Sequence, residues 1–177
     1  MRLVMKFGGA SIADGEKIKW VAELINRHRD HELVVVTSAL KNVTDHLLER
    51  ANIVADTGEI EAVRELVEHL RGIHYRAAHV AINDALALNP ALGELDSRIC
   101  ELAQALTGIC YLGELTPRSS DYISSYGELL SAPILSGALR SIGIPSTPLT
   151  GREAGIITNR EYGAAKPLEG TNERIRE

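Results

Sequence analysis

The sequence predicts an α/β fold with a mainly parallel sheet, on the strength of two patterns. Near the start of the chain, an apolar run over residues 3–7, a helical apolar pattern and a second apolar run over 32–37 follow one another. From residue 44 to about 113, apolar residues recur at intervals of three and four, which is the period of a helix. A strand, a helix and a strand in this order form a βαβ unit, whose two strands are parallel.

The βαβ unit occupies the first forty residues. Its first strand ends at a turn made by Gly8 and Gly9, and the helix that follows presents one apolar face, formed by Ile18, Val21, Ala22 and Ile25. The second strand, 32–37, is apolar at consecutive positions, so both of its faces are expected to be buried, as in a parallel sheet covered on both sides.

Four helices are predicted after the βαβ unit. The first two occupy the stretch from Thr44 to the eighties, Pro90 is expected to separate the third, and the fourth runs over 116–139 with a kink at Pro133. Two short extended pieces, 145–149 and 155–158, follow. We therefore expect one lobe over residues 1–165 and a charged, frayed tail over 166–177.

Composition excludes several classes of protein. The chain has 177 residues, a net charge of −5 and 45% hydrophobic residues, which is typical of a globular protein and offers no basic footprint for nucleic acid or an anionic membrane. No apolar run approaches the ~20 residues of a membrane span. The two cysteines lack a metal-binding spacing and are expected to be buried free thiols. Together with the lack of an apolar leader, they favour a cytoplasmic location. The six histidines are scattered, so no metal site is expected.

The turn after the first strand is a candidate phosphate site. Lys6 ends the strand, and Gly8 and Gly9 let the backbone approach a ligand closely. The segment, which ends at Ser11, lies between this strand and a helix whose start favours an anion. Neither a P-loop nor a dinucleotide fingerprint is present, and a plain tight turn is the alternative interpretation. A lysine here suits phosphoryl transfer, which depends on placed positive charge.

Polar residues also follow the second strand and interrupt the last predicted helix. Ser38 and Thr44 lie at the carboxyl edge of the presumed sheet, where ligands bind in open α/β folds, although Thr44 could instead be a helix N-cap. Glu128 stands within an apolar helical stretch, so it is either exposed or paired with a cation such as a ligand ammonium.

Four segments carry a family resemblance: KFGGAS at 6–11, VVTSALKNVTD at 35–45, and the segments 111–131 and 151–159. Together they resemble the aspartate kinases of the amino-acid kinase family, in particular the archaeal branch. Residues 6–11 (KFGGAS) resemble the family's KFGGTS, and 35–45 (VVTSALKNVTD) resemble VVSAMxxVTD. Residues 111–131 are similar to YLGELTP followed by S(F/H)GE(R/L)(L/M)S, and 151–159 continue the match.

The resemblance implies a three-layer αβα sandwich and ATP- and Mg²⁺-dependent phosphorylation of the L-aspartate β-carboxylate, the first step towards lysine, threonine and methionine. It makes Lys6 the cation on the transferring phosphoryl group, with Gly8, Gly9 and Ser11 at the phosphates. The same resemblance places Ser38 and Thr44 in the aspartate pocket and pairs Glu128 with the substrate's α-ammonium.

The chain also departs from the family. Ala10 replaces a threonine, and Lys41 and Asn42 stand where many relatives have glycine. From the resemblance we expect the nucleotide-binding lobe and the regulatory ACT domains to be absent. The chain would then be an N-terminal lobe that is inactive alone and that self-associates or needs a complementing lobe. The alternatives are a non-catalytic paralogue that binds aspartate or a partner chain, and a kinase of the same fold acting on glutamate, carbamate or a nucleotide.

Overall fold

The computed structural model describes residues 1–176. In chain order these residues form the strand β1 (Arg2–Lys6), helix α1 (Gly15–Asn26), strand β2 (Glu32–Val36) and helices α2 (Val43–Thr57), α3 (Ile60–Ala81), α4 (Ala85–Leu112), α5 (Pro117–Ser141) and α6 (Thr171–Arg176). The two strands pair in parallel, with Leu3 opposite Leu33 and Lys6 opposite Val36. The predicted α/β class and the initial βαβ unit are therefore confirmed.

The two faces of the sheet have different surroundings. On one face Met5, Leu33 and Val35 pack against the hydrophobic core. On the other face the side chains of Val34 and Val36 are 48% and 44% exposed, and Val4 beside them is 62% exposed. The prediction that β2 is buried on both faces is wrong for residues 1–176, because their helices cover one face of the sheet. The other face leaves the three valines exposed between the charged residues Arg2, Lys6 and Glu32.

The helices form one hydrophobic core with the covered face of the sheet. Long apolar side chains from α2, α3, α4 and α5 have no exposed surface there, among them Leu47, Leu70, Leu95, Ile99, Leu102, Leu106, Ile123, Leu130 and Ile134. The buried residues of each of these helices recur mainly at intervals of three and four, so each helix turns one stripe inward. Helices α4 and α5 are the most extensively packed pair in the described chain.

Pro90 does not separate two helices. Helix α4 begins at Ala85, where the Asp84 side chain accepts a hydrogen bond from the Leu86 amide, and it continues through Pro90. Proline at this position deprives the Leu86 carbonyl of its helical partner. Leu86 is 86% exposed, so water can replace that partner and the interruption is tolerated. Pro133 likewise lies within α5, which continues on both sides of it.

The segment after α5 differs from the prediction. Residues 145–149 have no regular secondary structure, and Thr158 pairs in an isolated antiparallel bridge with Pro167. The tail expected to fray over 166–177 is instead folded back over 166–176, since the Thr171 hydroxyl at the start of α6 donates to the Ile157 carbonyl at 3.0 Å. Glu177 lies outside the described residues. The backbone bridge and this side-chain hydrogen bond order the segment, and the spacing of apolar residues gives no sign of either.

Two further features concern the whole described chain. Within residues 1–176, no helix is both long enough and apolar enough to cross a membrane. Both cysteines are free thiols, but only Cys110 is buried as expected, whereas Cys100 is exposed.

A buried histidine makes the stability of the fold depend on pH. His74 of α3 is fully buried, its Nδ1 lies 2.7 Å from the Leu70 carbonyl, and its Nε2 has no partner within residues 1–176. Burial lowers the pKa of His74 to about 4, so the unfolded chain binds a proton more tightly than the folded chain. Stability should therefore fall as the pH drops from 6.5 towards 4, with a loss of about 3 kcal/mol at pH 4.

We expect His74→Phe to remove this part of the pH dependence, as measured by urea unfolding at pH 7 and pH 4. His79→Gln, at an exposed position of the same helix, serves as the control and should retain the wild-type dependence. An equal pH dependence in His74→Phe and the wild type would contradict the assignment.

Candidate functional site

The loop after β1 carries the predicted phosphate-binding residues. The Phe7 amide donates to the Val36 carbonyl at 2.8 Å and the Phe7 ring is buried, which fixes the point where the chain leaves the sheet. The Ser11 amide then donates to the Gly8 carbonyl at 2.8 Å and closes a turn. Lys6 ends β1 with an exposed side chain that forms no ion pair within residues 1–176. An unpaired ammonium is therefore available to a ligand.

The two glycines of this turn have different surroundings. A Cβ atom at Gly8 would meet nothing within 4 Å, so the backbone faces open space. A Cβ atom at Gly9 would lie 3.3 Å from the Ala39 carbonyl oxygen, so Gly9 brings this turn close to the loop that follows β2. The amides of Gly8 and Gly9 make no backbone hydrogen bond within the described residues, and they remain available as donors to an anion.

The loop between β2 and α2 is shaped by Lys41 and Asn42. The Lys41 amide lies 3.4 Å from the Ala13 carbonyl, which connects this loop to the turn after β1. Asn42 adopts a left-handed conformation, with φ of 63°, immediately before α2. Asparagine tolerates this region better than most residues, so the chain can turn here without the glycine of many relatives. Thr44 is the second residue of α2 and is not its N-cap.

A cavity of about 260 Å³ lies between the two loops. It is lined by Gly9, Ala10, Ser38, Ala39, Leu40, Lys41, Asn42, Thr44 and Asp45. The structure thus brings three predicted site residues, Gly9, Ser38 and Thr44, to one small cavity. Lys6 and Glu128 are not among the lining residues. A cavity of this size suits a small metabolite.

Helix α5 places Glu128 against the loop after β2. The helix begins where the Thr116 hydroxyl accepts a hydrogen bond from the Ser119 amide, with Pro117 as its first residue, a favoured N-terminal arrangement. Glu128 Oε1 accepts the Ala39 amide at 3.1 Å and lies 3.5 Å from Ser38 Oγ. Glu128 is thus exposed, which is one of the two interpretations of its position, and its partners within residues 1–176 are a backbone amide and a hydroxyl and not a cation.

Two residues beside Glu128 contribute to the site and were not predicted as members of it. Gly127 lies so close to the loop that a Cβ atom would come within 2.7 Å of Ala39 Cβ and 2.9 Å of Thr44 Oγ1. Ser131 Oγ donates to the Ser38 carbonyl at 2.6 Å. The sequence offered one signal for them. Gly127 directly precedes Glu128 and Ser131 follows it by three residues, so a glycine and a hydroxyl residue interrupt an apolar helix face close to Glu128.

Tyr126 anchors this part of α5 to α4. Its hydroxyl lies 2.8 Å from the Tyr122 hydroxyl and 3.4 Å from Glu101 Oε2, and its ring is buried. Burial and the hydrogen bond with Tyr122 raise the pKa of Tyr126, and the Glu101 carboxylate acts in the same direction. The phenol therefore stays neutral at physiological pH and can keep both hydrogen bonds.

The left-handed residue before α2 provides a test of the loop geometry. We expect Asn42→Val to lower the free energy of unfolding by about 1–2 kcal/mol, since a β-branched residue is strained at positive φ. Asn42→Gly should stay within about 0.5 kcal/mol of the wild type, because glycine adopts this conformation readily. Urea unfolding of both variants measures the difference, and equal stabilities would contradict the left-handed conformation.

Comparisons with known proteins identify the family of the chain. The sequence model of the amino acid kinase family matches residues 1–177, and the chain belongs to this family. Aspartokinase 2, chloroplastic, of Arabidopsis thaliana is 34% identical to it over 170 residues, and aspartokinase 3 of the same plant is 34% identical over 172. Each match covers 95% of this chain but 30% and 29% of the respective plant protein. The chain therefore spans about a third of the length of these relatives.

A solved structure shows the same fold. The crystal structure of E. coli aspartokinase III in complex with aspartate and ADP aligns with a TM-score of 0.80 and 22% sequence identity. The alignment covers 97% of this chain and 36% of that protein. The amino-acid kinase fold expected from the sequence is thereby confirmed.

Proposed function

We propose that this chain forms the aspartate-binding lobe of an aspartate kinase, which transfers the γ-phosphoryl group of ATP to the β-carboxylate of L-aspartate. The contact of Glu128 with Ser38 and Ala39, beside the cavity that Gly9 also lines, carries the proposal. The names of the plant relatives, and the aspartate and ADP in the E. coli complex, support this substrate pair. The product, 4-phospho-L-aspartate, would enter lysine, threonine and methionine synthesis.

Substrate recognition depends on complementary charge. An aspartate in the cavity would present its α-ammonium to the Glu128 carboxylate, where one oxygen bonds the Ala39 amide and the other remains for the ligand. The hydroxyls of Ser38 and Thr44 would complete the polar lining. Charge-assisted hydrogen bonds of this kind are stronger than neutral ones and fix the orientation of a small ligand.

The reaction needs alignment and charge neutralisation rather than a protein nucleophile. A β-carboxylate oxygen of aspartate attacks the γ-phosphorus of ATP, and the bond from that phosphorus to the bridging oxygen breaks to release ADP. The Lys6 ammonium would stabilise negative charge on the phosphoryl group in transit, and the Gly8 and Gly9 amides would donate to its oxygens. Ser11 holds the turn by its backbone bond to Gly8.

ATP and Mg²⁺ are proposed as the cofactors. The open space at Gly8 and the unpaired Lys6 ammonium fit a phosphate group. No group of three or more His, Cys, Asp or Glu side chains able to hold a metal ion occurs within residues 1–176. Mg²⁺ commonly arrives bound to nucleotide phosphates, and beside Lys6 it would supply further charge neutralisation.

We further propose that a second lobe completes the enzyme. The apolar face with Val4, Val34 and Val36 is exposed, and the relatives are about three times as long as this chain. Covering this face with another lobe or another copy would bury apolar surface favourably. On this account residues 1–177 alone bind aspartate but do not turn over. The cytoplasmic location stays a prediction of the composition.

Calorimetry and a trapping assay test this function. Titration with L-aspartate, D-aspartate and L-glutamate should show weak binding that is selective for L-aspartate. With ATP, Mg²⁺ and hydroxylamine, the isolated chain should form no aspartyl hydroxamate. Preferential binding of L-glutamate would favour another kinase of the family, and no binding of any of the three would overturn the proposal. Hydroxamate formation would show that no second lobe is needed.

A further inference from the structure

A single peptide group at the site is held at both of its polar ends by helix α5. This is the group that joins Ser38 to Ala39. Its N–H donates to Glu128 Oε1 at 3.1 Å, and its carbonyl accepts from Ser131 Oγ at 2.6 Å. Glu128 and Ser131 are three residues apart and share one face of the helix. The two side chains therefore form a clamp around one peptide.

The Ser131 half of the clamp is inaccessible to solvent. Ser131 is 1% exposed, and its hydroxyl has one hydrogen. The Glu128 carbonyl lies 3.2 Å from Ser131 Oγ, farther than the Ser38 carbonyl, so the hydrogen goes to Ser38. With the Ser131 hydroxyl removed, the carbonyl of Ser38 would lose a partner at a position that water reaches poorly, which is costly.

We propose that Ser131 is a positioning residue for the aspartate site. Ser131 fixes the carbonyl end of the peptide. It thereby keeps both the N–H of Ala39 and the hydroxyl of Ser38 directed towards the Glu128 carboxylate. The inference rests on the proposed function for its ligand, because Glu128 and Ser38 are the groups that would receive aspartate. Ser131 acts through them and does not contact the ligand.

The clamp also orients the Glu128 carboxylate. An exposed glutamate side chain samples several rotamers, and binding a ligand would require ordering it. The bond from Ala39 restricts one carboxylate oxygen before the ligand arrives. Without the Ser131 hydroxyl the peptide can rotate, and the bond from Ala39 to Glu128 weakens. The ligand must then order the carboxylate when it binds, which lowers its affinity.

Ser131→Ala tests the proposal, with Ser136→Ala as its matched control. Ser136 is also buried on α5, and its hydroxyl lies 2.9 Å from the Ser146 hydroxyl, away from the cavity. Three quantities are measured for each variant: the thermal midpoint, amide hydrogen exchange at Ala39, and the dissociation constant for L-aspartate. Both variants should lose similar stability. Only Ser131→Ala should speed Ala39 exchange and weaken aspartate binding, each by about five- to tenfold.

The outcomes separate the clamp from the function of the site. Unchanged Ala39 exchange in Ser131→Ala, or an equal loss of affinity in Ser136→Ala, would overturn the proposal. If Ala39 exchanges faster in Ser131→Ala than in the wild type, but neither protein binds aspartate, the clamp is supported and the aspartate assignment is refuted. Ser131→Thr keeps the hydroxyl and should restore slow exchange. Should alanine prevent folding, Ser131→Cys, with its weak donor, gives the same comparison.

Discussion

Glutamine at position 128 is expected to weaken binding of L-aspartate by about 10- to 100-fold while leaving the fold intact. Glu128→Gln keeps a side-chain oxygen that can accept the Ala39 amide, so the contact with the loop survives. The substitution removes the negative charge that would pair with the substrate's α-ammonium. Because the side chain is exposed, the thermal midpoint should change little. Isothermal titration calorimetry measures the affinity.

A carboxylate remote from the cavity provides the control for this substitution. Glu94 of α4 lies 3.7 Å from Arg98 in a partly exposed ion pair, and Glu94→Gln should bind aspartate like the wild type. If Glu128→Gln binds aspartate with unchanged affinity, Glu128 holds the loop but does not recognise the ligand. The role that the family resemblance gives it would then be wrong for this chain.

Alanine at position 127 is expected to destabilise the fold by about 1–3 kcal/mol, the usual cost of overpacking. The new Cβ atom would lie 2.7 Å from Ala39 Cβ and 2.9 Å from Thr44 Oγ1, so helix α5 and the loop would have to separate. The higher helix propensity of alanine offsets only about 1 kcal/mol of this strain. The separation would also lengthen the bond from Ala39 to Glu128. Urea unfolding and aspartate titration measure the two effects.

The matched control for Gly127→Ala is Gly93→Ala in helix α4. Gly93 is an exposed helical residue where a Cβ atom would meet nothing within 4 Å. Its replacement should therefore stabilise the protein by about 0.5–1 kcal/mol. The two Gly→Ala substitutions should have opposite signs, and a stabilising effect of Gly127→Ala would contradict the close approach of α5 to the loop.

Local patterns predicted the part of the site that comes from the βαβ unit. Lys6 ends the first strand and Gly8 and Gly9 follow it, and the parallel pairing of β1 with β2 brings Ser38 to the same edge of the sheet. Glu128 is about ninety residues farther along the chain, and no periodicity indicates which loop it reaches. Its assignment came from the family motif, and the bond to Ala39 supports that placement.

Other features depend on contacts that a pattern does not contain. The apolar residues of β2 predicted burial on both faces, yet burial also needs a covering layer, which residues 1–176 provide on one face only. Nothing in the sequence distinguishes Ser131 from other small residues on an apolar helix face. Its hydrogen-bond partner is a backbone carbonyl, which has no sequence signature. The folded tail likewise depends on backbone pairings around Ile157.

The central claim is that L-aspartate binds in the cavity between the loops after β1 and β2, beside Glu128 of helix α5. The most direct test titrates the ¹⁵N-labelled chain with L-aspartate and follows each backbone amide by NMR. We predict saturable shifts at Gly9, Ala39 and Thr44 and around Glu128, with D-aspartate producing smaller ones. Shifts confined to other parts of the chain, or no shifts at saturating L-aspartate, would contradict the claim.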